Sequence, residues 1–169
     1  QWYLAPGGVD PYEPVPVEQR DGYYEKPEPV YAGIRVVNEP AGSADRQGMG
    51  GFGQGKWKND EQLWWTGAHP NDKLVLAMPV TVASKYEVVV NLTKAIDYGI
   101  VQLSVDQRKA GEPIDLFNDG VVPTGPISLG MFDLSEGQHT LTVEIVGANP
   151  QAKKAYMFGI DRIETKRVQ

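Results

Sequence analysis

Short runs of alternating apolar and polar residues, cut at close intervals by turn signals, constrain this chain more than any other feature. Leu141, Val143 and Ile145 alternate with Thr140, Thr142 and Glu144. Tyr86, Val88, Val90 and Leu92 alternate with Glu87, Val89, Asn91 and Thr93, and Val101, Leu103 and Val105 with Gln102, Ser104 and Asp106. Leu74, Leu76 and Met78 repeat the pattern. A period of two puts every second side chain on one face of a strand, so each run has one face to bury. Pro70-Asn71-Asp72, Asp106-Gln107-Arg108, Ser135-Glu136-Gly137 and Gly147-Ala148-Asn149-Pro150 punctuate the runs. No amphipathic helix longer than a turn or two is legible. Many short strands at this spacing predict an all-β jelly roll over residues 31–169, with a first strand over 31–37 and with Val88, Val90, Leu103, Val143 and Ile145 inward.

Residues 1–30 read differently. Pro6, Pro11, Pro14, Pro16, Pro27 and Pro29 are interleaved with Trp2, Tyr3, Tyr12, Tyr23 and Tyr24. Proline at this density favours extended chain, and a plain linker would hold fewer aromatics. The segment is expected to be an extended arm that lies against its own domain or a partner, the alternative being a linker.

Several function classes are disfavoured. The formal net charge is −6 and the Lys and Arg residues are scattered, unlike the basic stripe of a nucleic-acid surface. No apolar run reaches the roughly 18 residues needed to span a bilayer. With no cysteine there is no disulfide, thiolate metal site or thiol nucleophile. His69 and His139 sit beside turns, and no two carboxylates are brought together by the sequence, so no catalytic residue is assigned. Gly51-Phe52-Gly53-Gln54-Gly55 lacks the strand and helix that flank a phosphate-cradling loop.

The remaining candidates are aromatic. Trp64 and Trp65 are adjacent in a predicted strand, so one is expected in the core and the other on a groove or partner face. Trp57 follows the glycine tract Gly48, Gly50, Gly51, Gly53 and Gly55. Asp97-Tyr98-Gly99 falls between two predicted strands, with Lys94 three residues earlier, and is expected to be a hairpin connection. A ring flanked by a carboxylate and an ammonium can stack on a sugar face and bond its hydroxyls; equally, Tyr98 can cover the core. Trp57, Trp64, Trp65, Lys94, Asp97 and Tyr98 are the candidate carbohydrate contacts.

Taken together, Gly55-Lys56-Trp57, Gln62-Leu63-Trp64-Trp65-Thr66-Gly67-Ala68, the run from Thr93 to Asp106, Val121-Val122-Pro123-Thr124-Gly125, Val143-Glu144-Ile145-Val146-Gly147-Ala148-Asn149-Pro150 and Tyr156-Met157-Phe158-Gly159-Ile160-Asp161 resemble a β-sandwich accessory domain of secreted bacterial proteins. Such domains occur at the C-terminal end of family 172 glycoside hydrolase-like proteins. More distantly, the layout is similar to galactose-binding-like jelly rolls of family 6 and family 35 carbohydrate-binding modules. The resemblance implies a non-catalytic module, secreted or at the cell surface, that binds a polysaccharide or glycan or docks beside a hydrolase domain. The rival expectation is a structural subunit or domain that assembles with other proteins through its arm and exposed aromatics. The resemblance also implies a structural calcium at a position matched by Asp161. The first predicted strand has no carboxylate to complete the site, a departure that counts against the ion; no other cofactor is expected.

Overall fold

A computed structural model of the chain describes residues 30, 31 and 33–168. The predicted arm, residues 1–30, lies outside the described residues except for Val30.

Two antiparallel five-stranded sheets pack face to face. A small hairpin of β1 (Val30–Tyr31) and β2 (Ile34–Arg35) opens the described chain. The next strands are β3 (Ser43–Gly48), β4 (Glu61–Thr66), β5 (Lys73–Val80) and β6 (Ser84–Lys94). They are followed by β7 (Ile100–Val105) and two short strands, β8 (Arg108–Lys109) and β9 (Ile114–Asp115). Three long strands, β10 (Val122–Leu134), β11 (Gly137–Gly147) and β12 (Phe158–Arg167), close the fold. One sheet has the order β10-β6-β12-β4-β3, the other β5-β11-β7-β8, with β9 also paired to β7. No helix among the described residues is long and apolar enough to cross a membrane.

The alternating runs supply the core. Leu141, Val143 and Ile145 of β11 are fully buried and meet Val88 and Val90 of β6, Leu103 of β7 and Ile160 of β12 in one apolar cluster. Burying one such side chain is worth about 1.5–3 kcal/mol. On the other face of β6, Val89, Asn91 and Thr93 are buried too. The segment 49–60 lies over part of that face: Lys58 donates its backbone N–H to Asp161 of β12, and Trp57 bonds Thr93 of β6.

Two expectations are corrected, and one strand is added. The run 31–37 is a two-strand hairpin turned at Gly33 (φ 76°), with Val36 bridging to Leu76 of β5. Asp97-Tyr98-Gly99 is no hairpin, because β6 and β7 belong to different sheets; alternation says where strands run, not which of them pair. The added strand is β10, whose Pro123, Gly125, Pro126 and Gly130 hide it from a pattern search. It survives as an edge strand because its register shifts between Pro123 and Pro126 and between Ser128 and Met131 absorb these residues.

Candidate functional site

In β4, Leu63 and Trp65 point into the core while Gln62 and Trp64 point to the outer face. Trp65 is fully buried and donates its indole N–H to the Ala41 carbonyl at 2.8 Å. Trp64 is half-buried and forms part of a depression of about 110 Å³. Gln47 of β3, Phe52 of the glycine tract, and Ala95, Asp97 and Tyr98 of the connection between the sheets complete most of its wall, with Val121 and Met157.

The connection is held firmly. Ala95 N–H bonds the Leu116 carbonyl, Met157 N–H bonds Asp97, and Gly99 N–H bonds Met157, the last two at 3.0 Å. Asp97 is therefore placed by backbone bonds from two other segments, while its carboxylate has no hydrogen bond or ion pair among the described residues.

Behind the wall runs a buried polar chain. Trp57 Nε1 donates to Thr93 Oγ1 at 2.8 Å, and Thr93 donates to Gln62 Oε1 at 2.5 Å. Gln62 Nε2 in turn donates to Gln47 Oε1 at 2.8 Å and to the Tyr98 hydroxyl at 3.0 Å. Such a chain fixes its members, since each buried donor and acceptor has its partner. Burial, with the Asp97 charge adding to it, pushes the Tyr98 phenol above its ordinary pKa despite the Gln62 hydrogen bond, so the hydroxyl keeps its proton.

Of the candidate contacts, the structure brings together Trp64, Asp97 and Tyr98. Trp57 is 2% exposed and offers no open ring; it lies edge-on behind Phe52, centroids 6.5 Å apart. Tyr98 is 4% exposed, so it contributes at most an edge and its hydroxyl rather than a stacking platform. Trp65 is core. Lys94 ends β6 opposite Val122 and does not line the depression. Phe52, 43% exposed, and Gln47 were missed. The only signal for Phe52 was a lone aromatic in a glycine tract; Gln47 lies in Ser43–Gly48, which has no apolar alternation.

Asp161 sits at the β12 bulge between Ile160 and Arg162, 2% exposed. Its burial raises the carboxyl pKa, against the lowering effects of the Lys58 N–H and the Arg162 guanidinium, which lies 3.8 Å away. Asn91, opposite Arg162 in the ladder, has a buried Nδ2 without a partner among the described residues. One carboxylate and one amide fall far short of the six to eight oxygens that calcium takes. No group of three or more His, Cys, Asp or Glu among the described residues could hold a metal. With a peptide N–H and a guanidinium already beside the carboxylate, these residues do not fit the calcium that the resemblance implied.

No protein-family model and no curated protein matches the chain. Solved structures do. Part of a xanthan lyase from Paenibacillus matches with a TM-score of 0.67 at 16% identity, over 80% of this chain and 12% of that one. A family 35 carbohydrate-binding module from an environmental isolate matches with a TM-score of 0.50 at 11% identity, over 78% of this chain and 85% of that one. The fold is a galactose-binding-like β-sandwich. Likeness at this identity carries the fold alone, and the chain spans about an eighth of the lyase's length, 12%.

Proposed function

We propose that this chain is a non-catalytic carbohydrate-binding module, an accessory domain of a secreted or cell-surface protein, with its site at the Phe52–Trp64–Asp97 depression. The observation that carries the reading is the meeting of two partly exposed rings with a carboxylate that has no partner among the described residues, on a rigid connection. Rings bind the C–H face of a sugar, and a carboxylate accepts from its hydroxyls. At about 110 Å³ the depression is well below the about 300 Å³ at which sites for drug-sized ligands begin, and it suits one sugar unit of a longer chain. The two matched structures, a xanthan lyase and a carbohydrate-binding module by their names, support the same reading.

Titration calorimetry against a panel of plant, algal and bacterial polysaccharides tests it. Phe52→Ala is expected to weaken binding roughly five- to tenfold while leaving the fold intact, since the ring already stands 43% exposed. Trp65→Ala is the contrasting control: it removes a fully buried ring, costs about 3–5 kcal/mol and unfolds much of the population. A wild-type protein that binds nothing across the panel ends the proposal.

A further inference from the structure

Among the described residues, Asp97 is the one acidic or basic side chain lining the depression; Gln47, Phe52, Trp64, Tyr98 and Met157 carry no charge. No guanidinium or ammonium of the described residues lines it, and Lys94, nearest in sequence, is elsewhere. The polar capacity left over is specific. Gln47 has its oxygen occupied by Gln62, so its Nε2 remains to donate, whereas the Asp97 carboxylate retains both oxygens as acceptors.

Two free carboxylate oxygens match two neighbouring hydroxyls of a pyranose, each donating one charge-assisted bond. A uronate or sulfated sugar would instead set a second anion against Asp97 with no cation to bridge them. The chain's formal −6 adds long-range repulsion of a polyanion. We infer that this depression selects sugars by charge, accepting neutral pyranosides and rejecting uronates and sulfated sugars, with Asp97 as the residue that decides. The inference rests on the carbohydrate-binding reading and adds the ligand class to it. A like charge about 5 Å away at an effective dielectric of about 40 weakens binding roughly tenfold.

The test uses the full chain in buffer containing EDTA, which removes any bridging divalent cation. Mannohexaose, xylohexaose and β-1,4-galactan serve as neutral probes, trigalacturonate and glucuronate-bearing xanthan fragments as anionic ones. The wild type should bind at least one neutral probe, and every anionic probe roughly tenfold more weakly or not at all. Asp97→Asn keeps the shape and removes the charge: neutral binding should fall severalfold and binding of the anionic probes should rise, closing the gap. Circular dichroism and the melting curve establish that the variant is folded. Wild-type binding of an anionic probe as tight as that of the best neutral one overturns the charge selection while leaving carbohydrate binding standing. An Asp97→Asn variant that preserves the gap does the same. Silence across all five probes overturns the selection together with the reading beneath it.

Discussion

Gly159, the second residue of β12, has no room for a side chain: a Cβ built there would overlap the Gln62 amide. That amide is the hub between Thr93, Gln47 and Tyr98, so the constraint on Gly159 comes from a buried hydrogen-bond chain rather than from its backbone angles. Displacing Gln62 would leave up to four buried polar groups without partners, each costing about 1–3 kcal/mol. Gly159→Ala is therefore expected to lower stability by about 2–4 kcal/mol, read by urea denaturation, and to loosen the site wall that Gln47 and Tyr98 form. Gly42 answers to a different cause. Its φ is 76°, and a Cβ there would overlap the Thr66 carbonyl, so both backbone conformation and backbone contact exclude a side chain.

At the scale of elements, the turn joining β7 to β8 is clipped to β11 by a histidine. Asp106 and Gln107 take positive φ values of 49° and 68°, as a tight two-residue hairpin requires. His139 of β11 places Nδ1 2.5 Å from Asp106 Oδ2 and Nε2 2.7 Å from the Ser135 carbonyl. A carboxylate and a carbonyl both accept, so the protonated ring, with a donor at each nitrogen, satisfies both partners. Burial acts to lower the His139 pKa, but the Ser135 carbonyl and Asp106 outweigh it and raise the value above the ordinary 6.5. The folded state thus holds this proton more tightly than the unfolded chain. The stabilisation is complete below pH 6.5 and is lost as pH climbs through the raised folded value. Melting temperature should accordingly fall between mildly acidic and mildly alkaline pH. In His139→Gln that slope should flatten, with stability near pH 6 lower by about 1–2 kcal/mol.

For the whole molecule, the strand order interlaces the ends of the described chain: β12 lies between β6 and β4, and β4 carries β3 on its other side. Phe158 and Ile160 of β12 are fully buried. A chain ending at residue 157 would lose the strand that joins β4 to β6 and open the core along its length. It is expected to show no cooperative thermal transition, where the full chain shows a single one; calorimetry distinguishes the two. The class of this architecture was legible in the sequence, because strand alternation and turn chemistry are local: Leu141, Val143 and Ile145 face inward as their period demands, and the Trp64–Trp65 pair divides between the outer depression and the core as adjacent strand residues must. Pairing is not local. Nothing in 84–105 announces that β6 and β7 part into different sheets, so the Asp97–Tyr98 connection could be placed on the surface but not in its true role as a strap between layers. Exposure is decided later still. Trp57 and Tyr98 are buried because segment 49–60 folds over polar positions of β4 and β6, giving an indole N–H and a phenol hydroxyl the partners that let them leave water. Phe52 stands beside Trp64 and Asp97 for the same reason, a neighbourhood set by contacts between segments far apart in the chain.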